Sequence, residues 1–289
     1  MNQSTGNSLQ KSPSFKNKTT KFKKRKKTHF IHYSTRFIWL GLLIISVMIL
    51  LQKLLFTLPT HAFTEESFPS STSSASSSTW DDFNYPFSLI ELAQKKPETV
   101  SFVKTYPDYL NGLLPSGPIS ITEDYAPGEI PLFLQWDTRW GYEYYGNDFI
   151  AINGCGPTAL SMVSVGLTGN TDLNPKAIAD FSYASGYLVE DRGSSWELMT
   201  QGAKELGLTS EELPLDASII IDRLSEGHPI IASMGPGDFT TSGHFIVLTG
   251  ISSDGKIIVN DSDSLIRSHK TWELDTLIKQ IKNLWAFSA

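Results

Sequence analysis

Cys155 is the chain's one cysteine, and it stands between two glycines in Gly154-Cys155-Gly156-Pro157, directly ahead of the apolar run Thr158–Val165. A cysteine can act as a nucleophile when its thiolate is stabilised, a base stands beside it and donors await the developing oxyanion. The position suits that chemistry. A helix beginning at Pro157 or just before it would put the sulfur at a positive dipole end, where a thiolate is favoured and backbone N–H groups point outward. The flanking glycines would let a substrate backbone approach closely. The plainer reading is a buried thiol packing ahead of an apolar helix, since free cysteine is among the most buried residue types.

A base must come from the histidines beyond residue 61, namely His228, His244 and His269. His228 enters a strand from a loop beside Pro229, and His269 lies in the polar run Arg267-Ser-His-Lys270. His244 follows Ser242-Gly243 and opens the apolar strand FIVLTG, so it would be rigidly held at the mouth of a sheet. One hairpin later a strand ends at Asn260-Asp261. An antiparallel hairpin of this length returns its end to the start of its first strand, which brings Asp261 beside His244. A carboxylate there would fix the imidazole tautomer and support the imidazolium. Against this, Asn260-Asp261-Ser262-Asp263 is turn-prone, so Asp261 could be a turn residue; Asp263 is expected to be a bystander. One cysteine and three scattered histidines give no metal-ligand spacing, and neither metal nor cofactor is expected.

The elements that must position these groups are helices first and strands afterwards. Asn174-Pro175 starts a helix with Ile178 and Phe181 on one face. Ser194–Leu206 is expected to be a third helix, with Trp196, Met199 and Ala203 buried, and Ile219–Leu224 a shorter fourth ended by Gly227. Pro229–Met234, His244–Gly250 and Lys256–Asn260 read as strands, the last two joined by the hairpin signal Asp254-Gly255. A helix over Leu274–Ile281 and a final strand at Trp285–Phe287 close the chain. Such a sequence of elements is an α+β fold.

Upstream, 86–128 reads as a helical arm: two short helices broken at Pro97, ending at Tyr106-Pro107 and the Pro/Gly-rich stretch 115–128. Residues 59–85 form a Ser-rich linker containing SFPSSTSSASSST. Phe37–Leu58 is apolar apart from a few residues, about 33 Å as a helix, long enough to cross a bilayer core. It reads as a transmembrane helix or signal anchor, with cleavage near Thr60-His61-Ala62 as the alternative.

Charge sets the direction. Residues 1–36 carry ten Lys/Arg and no acid, whereas residues 59–289 hold 13 of the 24 basic residues and all 30 acids, within a net charge of −6 for the chain. The positive-inside rule then keeps the basic tail in the cytoplasm and the rest outside. So acidic an outer part argues against nucleic acid as a partner.

Taken together, the stretches IPLFLQWDTRWG from Ile130, GCGPTALSM around Cys155, SGHFIVLTG and IIVND resemble the C39-like group of cysteine peptidases, relatives of exporter domains that cleave leader peptides after a double glycine. The resemblance covers roughly residues 129–285, and the arm ELAQKKPETVSFVKTYPD looks like segments preceding such domains in Gram-positive bacteria. It implies a papain-like fold, its helical half carrying the nucleophile at Cys155 and its antiparallel sheet the base at His244 and the acid at Asp261. It also implies an oxyanion-hole glutamine at Gln135. Many members have Pro where this chain has Ser262. The aromatic insert WGYEYYGNDF between Gln135 and Cys155 means that double-glycine specificity is not carried over.

The expected function is an extracytoplasmic, membrane-tethered cysteine hydrolase acting on a peptide or protein, cell-wall peptide included, with the lipid bilayer as its other partner. Two alternatives stay open: a silent papain-like module that binds a peptide or wall component, and an acyl or amide transferase with the same triad. The insert's Trp136, Trp140, Tyr142, Tyr144 and Tyr145 are either core packing or a substrate-binding wall.

Overall fold

Proline and glycine punctuate the arm in the way their backbone limits require. In this computed structural model, residues 84–115, 117–190 and 193–289 are described. The basic tail, the apolar run 37–58 and nearly all of the Ser-rich linker lie outside them. Among the described residues no helix is long and apolar enough to cross a membrane. Helix α1 (Phe87–Lys95) is followed by a single 3₁₀ turn over Pro97–Thr99, then by α2 (Val100–Lys104) and α3 (Tyr106–Leu110). The arm therefore does not stop at Tyr106-Pro107: proline is tolerated in the first turn of a helix, where its missing N–H has no partner to lose.

Next come a small hairpin, β1 (Tyr144–Tyr145) and β2 (Asp148–Phe149), and the helices α4 (Ile150–Asn153), α5 (Cys155–Thr168) and α6 (Pro175–Ala184). Residues 156–165 of α5 are all buried. Such a helix has no solvent face and forms the axis of a core. It ends at Gly169, whose φ of 69° suits a left-handed cap. Asn174 caps α6 by accepting the Ala177 N–H at 3.1 Å.

The region expected as a third helix is divided. Gly193–Ser194 forms β4 against β3 (Leu188–Val189), and a π-helical turn over Leu198–Gly202 leads into α7 (Ala203–Glu205). Met199 and Ala203 are buried as expected, but Trp196 is 48% exposed. Its ring edge packs on Trp285 while its Nε1 donates to Ser233 Oγ at 3.1 Å, a wet-and-dry position suited to indole.

The remaining elements are β5 (Thr209–Glu212), α8 (Ala217–Ser225), β6 (Ile230–Met234), β7 (His244–Ile251), β8 (Ile257–Asn260), α9 (Leu265–Ser268), β9 (Thr271–Trp272), α10 (Leu274–Ile278) and β10 (Ile281–Ser288). They build one antiparallel sheet in the order β5-β10-β6-β7-β8-β9. The closing helix stops at Ile278, and the final strand begins at Ile281 and runs inside the sheet between β5 and β6. Alternation divides the strand residues between two cores. Ile231, Phe245, Val247, Trp285 and Phe287 meet α5 and α6 on one face. Ile230, Ala232, Ile246, Leu248, Leu284 and Ala286 meet Ile220 and Leu224 of α8 and Leu277 of α10 on the other. The result is a mixed fold of helices and antiparallel sheet, with a central helix whose first residue is Cys155.

Candidate active site

Gly154 is the joint between α4 and α5. Its N–H donates to Ile150 O at 2.8 Å, closing α4, and its own carbonyl accepts the Thr158 N–H at 3.0 Å, opening α5. A Cβ here would lie 2.5 Å from Ile150 O, and one on Gly156 would lie 2.4 Å from Ser194 Oγ. Both glycines are therefore demanded by the protein's own packing, and access for a substrate is not needed to explain them. Ser194 is held there by Tyr145, whose hydroxyl lies 2.9 Å from Ser194 Oγ and 2.7 Å from Ser182 Oγ. Cys155 is left partly exposed at the helix start, and the Gly154 N-cap offers no side-chain acceptor to the first turn.

His244 opens β7 and is buried. The β7–β8 hairpin turns at Gly255, with a φ of 81°, and returns Asp261 so that its Oδ1 is 2.7 Å from His244 Nε2. A carboxylate only accepts, so Nε2 carries the proton and Nδ1 is the nitrogen left for Cys155. Burial opposes the imidazolium, but the Asp261 carboxylate and hydrogen bonding with the Cys155 side chain outweigh it and raise His244 to about 10. Asp261 is wholly buried. Burial would raise its carboxyl, yet His244 and Arg267 hold it down at about 2. The pair is thus arranged to be charged, a carboxylate bracketed by two cations.

Arg267 is the member that sequence reasoning missed. Its Nε donates to Asp261 Oδ2 and its Nη2 reaches Asp263 Oδ2 at 3.4 Å. Asp263 is not the bystander expected. Its N–H donates to Asp261 Oδ1 at 2.9 Å, and its carboxylate also takes Lys96 of the arm. Arg267 stands six residues after Asp261, and only the short helix α9 turns it back; no spacing rule would have singled it out.

Gln135 is buried. Its Oε1 accepts from Ser262 Oγ at 3.1 Å, and its Nε2 donates to Ala151 O at 2.9 Å, with Ile152 O farther off at 3.5 Å. It ties the residue after Asp261 to the helix that runs into Cys155. His228 is paired at the surface with Glu226 at 3.6 Å, and His269 is exposed; neither joins the site.

Of the aromatic insert, Trp140, Tyr142 and Tyr145 are core residues, Tyr144 is 62% exposed and Trp136 is half-buried, its Nε1 on Asp263 O at 3.3 Å. None of the five lines either of two cavities that flank α4. The larger, about 670 Å³, is bordered by Ala151 and Ile152 just before Cys155, Ser242 just before His244, and Asp263 just after Asp261. The smaller, about 350 Å³, includes Asn153, Tyr183 and Leu188. Among the described residues no cluster of His, Cys, Asp and Glu could hold a metal ion.

Two comparisons bear on this geometry. No curated protein matches the chain. The model of the Peptidase_C39 like family matches residues 128–288, which include Gln135, Cys155, His244 and Asp261. On that match, spanning more than half of the sequence, and on a fold of peptidase type, the chain belongs to the Peptidase_C39 like family.

Proposed function

We propose that the chain is a cysteine hydrolase that cleaves peptide or amide bonds outside the cytoplasmic membrane, tethered by residues 37–58. The observation that carries the reading is the buried His244–Asp261 pair at 2.7 Å, with a partly exposed Cys155 at a helix N-terminus near enough to help raise His244. In the proposed reaction the Cys155 thiolate attacks the scissile carbonyl carbon, and the carbonyl π-pair moves to oxygen. When the C–N bond breaks, the His244 imidazolium passes its Nδ1 proton to the leaving amine. A water then loses a proton to Nδ1 as its oxygen attacks the thioester carbon; the C–S bond breaks, the carboxylic acid departs and the thiolate–imidazolium pair is restored. Asp261 keeps Nε2 protonated throughout and stabilises each imidazolium.

The oxyanion would sit against the Cys155 backbone N–H, which no cap side chain occupies. Gln135 has one amide hydrogen committed to Ala151 O. Its second, with only a 3.5 Å contact, would be the other donor. Cavities bordered by Ala151 and Ile152 and by Asn153, within four residues of Cys155, suit a peptide substrate. The one-sided basic charge of residues 1–36 supports the orientation. The substrate class is a peptide or protein, with cell-wall peptide included.

The test is mass spectrometry of products released when the full-length chain meets a peptide library and digested peptidoglycan. Wild type should release new termini, and Cys155→Ala should release none while keeping the wild-type circular dichroism, since one small side chain replaces another. More than a few per cent of the activity surviving in Cys155→Ala would overturn the thiol mechanism. No release by wild type, with Cys155 labelling no faster than free cysteine, would leave a silent binding module.

A further inference from the structure

The arm precedes the residues that match the family model, yet it is built into the surroundings of the acid. Leu89, Leu92 and Ala93 of α1 share an apolar cluster with Tyr142, Phe149 and Ala151. Phe102 of α2 stacks on Tyr142 with ring centroids 4.3 Å apart. Those contacts would secure any docked helix. The polar ones are directed more narrowly. Lys96 pairs with Asp263 across 167 residues of sequence. Two residues on, Glu98 accepts from Ser264 Oγ at 2.5 Å and from the Ile266 N–H at 3.2 Å. Both reach the same loop, the one that carries Asp261 and Arg267.

The contacts join into one line. Lys96 meets Asp263, Asp263 meets Arg267, Arg267 meets Asp261 and Asp261 meets His244. Side-chain exposure along it is 29% at Lys96, 8% at Asp263, 19% at Arg267, 0% at Asp261 and 5% at His244. Exposed ion pairs contribute little, but these are desolvated towards the inner end, where losing one partner leaves a charge unmatched. The arm also lines the larger cavity through Ser88, Glu91, Leu92 and Lys96, together with Phe239 and Ser242.

We propose that the arm is a working part of the active site, with Lys96 and Glu98 as positioning residues that hold the Asp261–Ser268 loop so that Asp261 meets His244. Glu98 borders neither cavity, whereas Lys96 borders the larger one. They act through Asp263 and Ser264 on the orientation of the acid, and so on the imidazole that serves Cys155. The inference rests on the Cys155–His244–Asp261 reading above.

The experiment uses the full-length chain and iodoacetamide, whose reaction with Cys155 needs no knowledge of the substrate. Lys96→Ala and Glu98→Ala are compared with Lys104→Ala, which removes an exposed charge from the same arm. Each of the first two should slow alkylation at pH 6 by roughly two- to threefold, no more than Asp261→Asn does, and any peptide hydrolysis by up to about a hundredfold in kcat, the scale set by small misplacements of reacting groups. In Glu98→Ala KM should change little; in both variants thermal midpoints should stay near that of Lys104→Ala, and Lys96→Arg should restore most of the rate. If both variants match Lys104→Ala in alkylation, the arm is scaffold alone and the inference falls while the triad reading stands. A wild-type Cys155 that alkylates no faster than free cysteine overturns the triad reading and this inference with it.

Discussion

Asp261 presents one carboxylate oxygen to His244, at 2.7 Å from Nε2, and the other to Arg267 Nε. A wholly buried carboxylate between two cations cannot rotate without breaking one contact, so the bond to His244 fixes both tautomer and ring orientation. Arg267 is in turn held by Asp263. The acid is therefore positioned from both sides.

Removing each partner should produce graded effects on Cys155 reactivity. His244→Ala takes away the cation facing the sulfur and should slow iodoacetamide reaction at pH 6 by roughly tenfold or more. Asp261→Asn keeps the shape but loses the charge supporting the imidazolium, so the loss should be partial. Arg267→Ala should resemble Asp261→Asn, and Arg267→Lys should recover only part, because an ammonium cannot reproduce the guanidinium's two directed contacts. His228→Ala and His269→Ala should match wild type. Equal rates in wild type and His244→Ala would remove the catalytic reading.

The same pair sets an acid and an alkaline limit on stability. His244 is raised from 6.5 to about 10, so its contribution is complete below pH 6.5 and is lost as pH rises through about 10. Asp261 is lowered from 3.8 to about 2, so its contribution is complete above pH 3.8 and is lost as pH falls through about 2. Urea midpoints should be nearly level between these limits and fall outside them. In His244→Gln the decline between pH 6.5 and 10 should be shallower. Identical slopes in the two proteins would show that His244 is not held in its charged form.

Gly156→Ala tests the packing account of the glycines beside Cys155. The new Cβ would lie 2.4 Å from Ser194 Oγ, inside any permitted contact, so either β4 or the start of α5 must shift. Overpacking of this kind costs about 1–3 kcal/mol, measurable by chemical denaturation. Ser194→Gly added to Gly156→Ala should recover much of the loss. A single variant as stable as wild type would show that the contact is not tight.

Topology can be tested on intact protoplasts. Added protease should digest the chain beyond residue 60 and spare the basic N-terminus, as the one-sided charge of residues 1–36 requires. A chain protected until the membrane is lysed would mean the opposite orientation.

What the sequence determined by itself is what neighbouring residues decide. Gly154-Cys155-Gly156-Pro157 starts a helix because of what glycine and proline do to the local backbone, and Asp254-Gly255 turns a hairpin because glycine accepts a positive φ there. The short β-branched runs IIASM and HFIVLTG, bounded by turn residues, mark strands because branched side chains fit a pleated surface. From these Cys155, His244 and the return of Asp261 to His244 could be placed. Tertiary structure decided the partners for which no local rule exists. Thr209–Glu212 has no apolar alternation and becomes a strand only because β10 lies beside it. Trp196 kept helical spacing but faces solvent because the chain around it is spent on β4 and a π-helical turn. Lys96 and Asp263, 167 residues apart, carry no local signal of a pairing. Only when α1 packs on Tyr142 and Phe149, and α9 turns Arg267 back onto Asp261, do they form a line of ion pairs, because burial turns weak surface charges into partners that must be matched.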